Sequence, residues 1–383
     1  MSGVETPPYK LTGNMPAPVV AAQDTQARVS QNMASTNGYL LQVENLKTYF
    51  PIRKGVLRRT VGYVKAVDGV SFAIEKGQSL GLVGESGCGK TTVARSLIRL
   101  VPATAGDVFF ENTDVLSADR AKLRELRRQI SMIFQDPFSS LNPRMTVGNI
   151  IGEPLKVQRG VAGSELTERV AVLLSKVGLS PEHINRYPHE FSGGQRQRIG
   201  VARALSLEPK LVICDEPVSA LDVSIQSQVL NLLKDLQEEF GLTFLFIAHD
   251  LAVVEFFCDV VAVMYMGKIV ERATAGELYQ NPLHPYTRAL MSVIPQVAPS
   301  QRGRRGTFGG EVPSVLSLGL LTEKPPGGCA FGPRCSLAEG DCLRQIPALK
   351  EGPRFAGTQI SGSEGPAASE TRLDGHFAAC WKC

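Results

Sequence analysis

The hydrophobic positions of this chain follow two rhythms. Short, continuous apolar runs stand at residues 80–83, 130–134, 211–214 and 242–248. Such runs fit strands buried on both faces, as in a parallel sheet covered by helices. Elsewhere the apolar residues recur at helical spacing. Val93, Leu97, Ile98 and Val101 mark one helix, with Arg95 and Arg99 on another face. Residues 164–178 carry Leu166, Val170, Val172, Leu173, Leu174 and Val177, an amphipathic helix ended by Gly178. Ile199, Val201, Ala202 and Leu205 mark another, and Leu230, Leu232 and Leu236 one more. Residues 120–128 form a basic helical stretch, and 106–110 a further strand. Near the start, strand signals at 40–43, 48–51, 61–67 and 70–74 predict a small antiparallel sheet, closed by the turn Glu75-Lys76-Gly77. The alternation of buried strands with helices predicts an α/β fold. Residues 1–38, rich in Ala, Pro, Gln, Ser and Thr, read as a disordered arm. Residues 136–154, with Pro137, Asn142, Pro143 and Pro154, read as a surface-exposed connector.

The chemistry sits where the apolar runs stop. After the run at 80–83 comes GESGCGKTT, residues 84–92, the P-loop pattern in its strand–turn–helix context. Gly84, Gly87 and Gly89 let the backbone curl, so that N–H groups of Ser86, Cys88, Thr92 and their neighbours face one point at a helix N-terminus. Orphan N–H groups and the helix dipole favour an anion there. Lys90 adds a full positive charge for the β- and γ-phosphates, and the Thr91 hydroxyl can ligate Mg²⁺. The run at 130–134 ends in Gln135, a side chain suited to a metal ion or an attacking water, although such a residue is commonly an ordinary loop polar group. The run at 211–214 ends in Asp215-Glu216, a placement that sets a magnesium-binding acid beside a general base. The run at 242–248 ends in His249, which faces the same crevice. Ser192-Gly193-Gly194-Gln195 opens a helix and offers either a second phosphate site or a plain N-cap by Ser192. Phe50, or its neighbour Tyr49, could stack on an adenine; a buried strand aromatic is the plain alternative.

Composition narrows the class. Of 383 residues 43% are hydrophobic and 20% charged, which suits a globular protein of two or three units. A net charge of +4 gives no support for a nucleic-acid partner. No uncharged apolar run approaches the roughly 18 residues a membrane span needs. The N-terminus lacks a basic region followed by an apolar core, so a cytoplasmic chain with reduced thiols is expected.

Taken in order, GESGCGKTT, Gln135, FSGGQ, LVICDEP, SALD and His249 resemble the nucleotide-binding subunits of ABC transporters, over residues 39–295. The resemblance implies a P-loop NTPase cassette with a RecA-like core, an antiparallel β subdomain and an α-helical signature subdomain. It implies that two cassettes meet head to tail, each ATP lying between one P-loop and the facing signature. Gln135 and Asp215 would then serve Mg²⁺, Glu216 would polarise the attacking water, and His249 would hold the γ-phosphate and orient Glu216. Ser192, Gly194 and Gln195 would reach the partner's nucleotide, Asp222 would couple the two sites, and Phe50 rather than Tyr49 would meet the adenine. The motifs MIFQDPFSSLNPRMTVG, INRYPHEFSGGQRQRIGVARAL and NPLHPYTRALMSVIP are similar to ATPase subunits of oligopeptide and dipeptide importers, and in particular to the second (F-type) ATPase of such pairs. That implies a sister ATPase or a homodimer, two membrane permeases gripped through residues 136–154 and 185–190, a substrate-binding protein, and a place at the cytoplasmic face of the membrane. A soluble ABC protein acting on ribosomes or nucleic acid is the alternative; an exporter half would normally carry a fused membrane domain. Peptide, nickel, opine and glutathione all remain open as cargo.

Beyond a basic linker at 301–306, Cys329, Cys335, Cys342 and Cys380 are spaced C-x₅-C-x₆-C-x₃₇-C, with Cys383 at the end. The stretch GCAFGPRC is similar to the tail of peptide-importer ATPases. Four thiolates could hold a [4Fe–4S] cluster or Zn²⁺, or the thiols could be free. A small cysteine-rich C-terminal extension over 296–383 is expected, with a mobile polar loop at 351–375. Cys88, Cys214 and Cys258 lie in or beside core elements and read as inert thiols.

Overall fold

The computed structural model describes residues 38–55, 59–292, 327–351 and 375–382. The expected N-terminal arm up to residue 37, the basic linker and nearly all of the polar loop lie outside the described residues.

The early strand signals join into two long strands instead of four short ones. Strand β1 (Tyr39–Lys54) pairs antiparallel with β2 (Arg59–Glu75) along its whole length. Irregularities in the pairing absorb the polar breaks that look like strand ends in the sequence. One lies at Asn45, which takes a left-handed backbone (φ 46°) and donates its N–H to Ser71 Oγ at 2.9 Å. Asparagine tolerates that conformation better than most residues. Strand β3 is Ser79–Val83; β4 (Ala105–Phe110) and β5 (Thr113–Asp114) complete a four-stranded antiparallel sheet in the order β2-β1-β4-β5.

The buried runs form the second sheet. Its parallel centre has the order β9-β3-β8-β7-β6, where β6 is Ile130–Ile133, β7 is Leu211–Asp215, β8 is Thr243–Ala248 and β9 is Val260–Tyr265. Every residue of β3, β7, β8 and β9 is buried, which explains the lack of alternation in the sequence. Alternate residues nonetheless serve different layers. Leu80, Leu82, Ile213, Leu245 and Ile247 pack with Leu41, Val67 and Phe72 of the antiparallel sheet and with Val93 and Leu97 of α1 (Lys90–Leu97). Val83, Val212, Cys214, Phe244 and Phe246 face the opposite core.

That second core includes helices α3 (Val147–Arg159), α4 (Gly163–Lys176) and α5 (Gly193–Leu205), which follow α2 (Arg120–Gln129) and β6. Two expectations change here. The stretch 136–154 is only partly a connector: Thr146 caps α3 by accepting from the Asn149 N–H, and Ile150, Ile151 and Leu155 are buried. Pro154 sits inside α3, where tertiary packing outweighs the lost helix hydrogen bond. In α4, Leu166, Val170 and Leu174 are buried but Val172 is 57% exposed, so the apolar stripe is narrower than the composition suggests.

After β7 come α6 (Val223–Phe240), β8, α7 (Leu251–Phe257) and β9. Strand β10 (Lys268–Thr274) runs antiparallel to β9, followed by α8 (Ala275–Gln280) and α9 (Pro285–Ser292). The C-terminal segments dock on the same sheet: β12 (Phe377–Ala378) pairs with β10 and with β11 (Lys350–Glu351). Glu271 of β10 is fully buried. Its carboxylate accepts from the N–H groups of Leu283 and His284 and lies 2.6 Å from His376 Nε2.

His284, itself buried, accepts from the Tyr286 N–H at 3.1 Å. Burial pushes its pKa down from 6.5 to about 4, against the pull of Glu271 and a hydrogen bond with the Ala379 backbone and with Arg288 adding to the fall. The fold thus accommodates the neutral ring, and the unfolded chain binds the extra proton. The stability carried by this ring, about 3 kcal/mol, is complete above pH 6.5 and is lost as pH falls towards about 4. His284→Gln should flatten the fall in Tm across that window; a variant that falls as steeply as its parent would refute this.

Candidate nucleotide site

Two glycines shape the loop between β3 and α1. Gly84 (φ 153°) and Gly89 (φ 113°) press against other chain segments: a methyl group on Gly84 would lie 2.2 Å from the Met264 carbonyl oxygen, and one on Gly89 would lie 2.1 Å from that of Ala66. The loop is therefore wedged between β9 and β2. Lys90 is buried and donates from Nζ to the carbonyls of Gly84 (2.7 Å) and Glu85 (3.0 Å), holding its charge inside the turn. Gly89 caps α1 without a side-chain hydrogen bond, so no side chain takes the N–H groups of its first turn. Free N–H groups at a helix start beside a lysine ammonium favour an anion. Cys88 is buried in the loop, and burial pushes its thiol up despite Lys90, so it stays protonated.

The strand ends deliver the polar groups to one place. Thr91 Oγ1 donates to Asp215 Oδ1 at 2.8 Å, joining α1 to the end of β7. Asp215 is buried, which pushes its carboxyl up; the Thr91 hydrogen bond, Arg95 and Lys90 oppose the rise, and Glu216 adds to it. Glu216 follows in a left-handed conformation (φ 48°), fixed by donation of its N–H to the Ile247 carbonyl at 3.0 Å. Its carboxylate is the meeting point of two other strand ends. Gln135 Nε2 donates to Glu216 Oε2 at 2.9 Å, and His249 Nδ1 lies 3.3 Å from the same oxygen. Residues drawn from β6, β7 and β8 are thus in direct contact. Oxygen donors from Thr91, Asp215 and Gln135 form the hard set that Mg²⁺ prefers.

Not every expected residue joins this cluster. Phe50 lies on β1 with 39% of its surface exposed, whereas Tyr49 is committed elsewhere: its hydroxyl donates to Asp68 Oδ1 at 2.5 Å. Of the two aromatics, Tyr49 is the hydrogen-bonded one and Phe50 the more exposed ring. Ser192 is exposed and caps α5, with its Oγ accepting from the Gln195 N–H at 3.3 Å and Gln195 Oε1 accepting from the Ser192 N–H at 3.0 Å. The N-cap reading is realised, and Ser192 and the half-buried Gly193 still face outward. Gly194 is buried against Ile225 of α6. Asp222 stands exposed at the N-cap of α6. Sequence reasoning missed two contacts to the loop: the Glu85 N–H donates to Tyr286 Oη at 2.9 Å, and Arg334 pairs with the Glu85 carboxylate. Residues two hundred apart in the chain leave no local signal of such pairing.

The comparisons with known proteins agree with this geometry. Residues 67–219 match the ABC transporter family, and residues 270–342 match the oligopeptide/dipeptide transporter C-terminal region. The oligopeptide transport ATP-binding protein AppF of Bacillus subtilis is 52% identical over 321 residues, covering 83% of this chain and 95% of the relative. The chain belongs to the ATP-binding proteins of oligopeptide ABC transporters. The oligopeptide transport ATP-binding protein OppF of Salmonella typhimurium is likewise 52% identical, over 83% of this chain and 94% of its own length. Among solved structures, a dimeric bacterial ABC transporter cassette is 27% identical with a TM-score of 0.55, over 61% of this chain and 98% of that one. The cassette fold is therefore that of the ABC ATPases, and these relatives favour a transport ATPase over the ribosome- or nucleic-acid-acting alternative. Among the described residues no helix is long and apolar enough to cross a membrane.

The iron–sulfur expectation is not supported in the same way. Among the described residues no three His, Cys, Asp or Glu side chains form a group that could hold a metal ion. Cys329, Cys335, Cys342 and Cys380 do line one small cavity with Phe331, Pro347 and Trp381, and the Cys329 N–H donates to the Cys342 carbonyl at 2.7 Å. Cys383 lies outside the described residues. Cys214 and Cys258 are buried, and burial raises both thiols, as expected of inert core residues.

Gly89→Ala adds its methyl group against the Ala66 carbonyl at a backbone angle that L-residues rarely adopt. It should abolish ATP binding, measured by titration calorimetry, while far-UV circular dichroism keeps the α/β signature. ATP affinity within threefold of the parent would contradict the wedged-loop description.

Proposed function

We propose that this chain hydrolyses ATP as one of two facing cassettes and so drives peptide uptake through membrane-embedded partners. The observation that carries the reading is the convergence of Gln135 and His249 on Glu216, one residue past the Thr91-linked Asp215. ABC ATP-binding subunits of this kind turn hydrolysis into motion, and the cassette boundaries proposed are residues 39–295, with the C-terminal region over 296–383.

The loop N–H groups of Gly87 to Thr92 and the Lys90 ammonium bind the β- and γ-phosphates. Thr91, Asp215 and Gln135 would hold Mg²⁺, which when bound neutralises charge between the β- and γ-phosphoryl oxygens. Glu216, with only 13% of its side chain exposed, accepts the proton of the attacking water, and His249 orients that carboxylate and reaches the γ-phosphate. Phe50 stacks on the adenine. Ser192, Gly193, Gly194 and Gln195 serve the nucleotide of a facing cassette, a pairing supported by the dimeric cassette to which this chain is similar, and Asp222 lies between the two sites. The partners are a sister ATPase, or a second copy, two permeases and a substrate-binding protein, with the chain peripheral to the cytoplasmic face. Support for a permease surface comes from the groove between α3 and the end of β6, where Phe134 and Pro154 stand beside Val157, 72% exposed.

For the tail, the proposal is a [4Fe–4S] cluster that fastens the C-terminal segments. Four thiols around one cavity match it in number and chemistry, and cluster ligands stand further apart than those of a single ion.

Glu216→Gln in the assembled transporter should keep ATP binding while turnover falls about 10²–10³-fold. Hydrolysis within tenfold of the parent would remove Glu216 from its role. Protein purified without oxygen should contain about four irons per chain; iron-free protein would end the cluster proposal.

A further inference from the structure

The phosphate loop is held by residues from the C-terminal part of the chain. Glu85, the residue after Gly84, uses every polar group it has: its N–H donates to Tyr286 Oη at 2.9 Å, its carbonyl accepts from Lys90 Nζ at 3.0 Å, and its carboxylate accepts from Arg334. The last contact is two-pronged, Nη1 to Oε2 at 3.1 Å and Nη2 to Oε1 at 3.2 Å, between residues 249 apart in sequence. Fork-shaped guanidinium–carboxylate pairs are the strongest and most directional of side-chain ion pairs. This one is sheltered, with 14% of the arginine and 21% of the glutamate side chain exposed. A cage of rings surrounds it. Tyr265, Tyr286 and Phe331 pack with centroids 4.6–5.5 Å apart, and the Arg334 guanidinium lies over Tyr265 and Phe331 at 5.9 and 5.7 Å. Tyr286 and Arg334 both fall in the C-terminal region, 270–342.

We propose that Arg334 is a positioning residue for the nucleotide site: from the C-terminal region it neutralises Glu85 and fixes the first turn of the phosphate loop. The inference rests on the ATPase reading above. Two effects follow from its removal. Glu85 would be left as a bare carboxylate on a loop that must receive a polyanion, and like charges in a sheltered place repel strongly. The Glu85 peptide would also lose one of its two external anchors, so the N–H groups that follow would spend less time aimed at a common point. Both effects weaken nucleotide binding and leave the contacts of Gln135 and His249 with Glu216 in place. Arg334 also immediately precedes Cys335, so the thiol-lined cavity and the phosphate loop share one short segment.

The test measures kcat, KM for ATP and Tm in the assembled transporter for the parent, Arg334→Gln, Glu85→Gln and the double variant. Arg334→Gln should raise KM about tenfold with kcat within about twofold. The double variant, which removes the stranded charge together with its partner, should return KM to within about threefold of the parent. A purely structural role predicts the opposite split: lower Tm and lower kcat at unchanged KM, with no rescue by the second substitution. That result, or additive effects of the two substitutions on log KM, would overturn the proposal. Should Arg334→Gln not fold, Arg334→Lys carries the test, since it keeps the charge but loses the fork; a KM raised about threefold supports the proposal and an unchanged KM overturns it. A parent that neither binds nor hydrolyses ATP would overturn the ATPase reading itself, whereas a normal parent beside an unaltered Arg334→Gln would overturn this inference alone.

Discussion

Asp215 is a carboxylate removed from water at the end of a fully buried strand, and the site is arranged around that constraint. Burying an uncompensated charge costs several kcal/mol, so the fold must answer it. One answer is the Thr91 hydroxyl, which ties the helix of the phosphate loop to the carboxylate. Another is the positive charge of Lys90 and Arg95, which opposes the rise that burial imposes on the carboxyl. What remains is a demand for positive charge that hard metal ions meet well. The next residue then turns through a left-handed conformation, and this turn points the second carboxylate away from the first and towards Gln135 and His249. Two acids adjacent in sequence thereby acquire different neighbours.

The parts of this arrangement legible in the sequence are those carried by continuous local patterns. The runs at 80–83, 211–214 and 242–248 read as buried strands because both faces of the sheet are covered, and their polar ends follow at once. The phosphate loop was equally plain, since its glycines are demanded by backbone contacts that no other residue fits. Less was visible where pairing is long-range. Asn45 and the neighbouring polar residues look like breaks between strands, yet the pairing of β1 with β2 continues through them. Pro154 reads as part of a surface connector, yet α3 runs past it on the strength of Ile150, Ile151 and Leu155. Tyr49 and Phe50 are alike by type, and the hydrogen bond of Tyr49 to Asp68, on the neighbouring strand, is not visible in the sequence. The grip of Tyr286 and Arg334 on Glu85 belongs to the same class of unseen contact.

The C-terminal segments are part of the same sheet. Strand β12 extends it beyond β10, and Phe331 is buried among rings contributed by β9 and α9. The C-terminal family region thus packs against the loop that follows β3.

Ser192 shows why a hydroxyl suits its position. It accepts the Gln195 N–H to cap α5, and that bond uses only a lone pair. The hydroxyl proton is left over. A serine can therefore end a helix and still offer a donor to an approaching anion, with no bond to break first. Aspartate would cap the helix as well, but it would meet a phosphate with negative charge; alanine would do neither. On the proposed facing-cassette reading the side chain answers two demands at once, and only a group that gives and receives satisfies both.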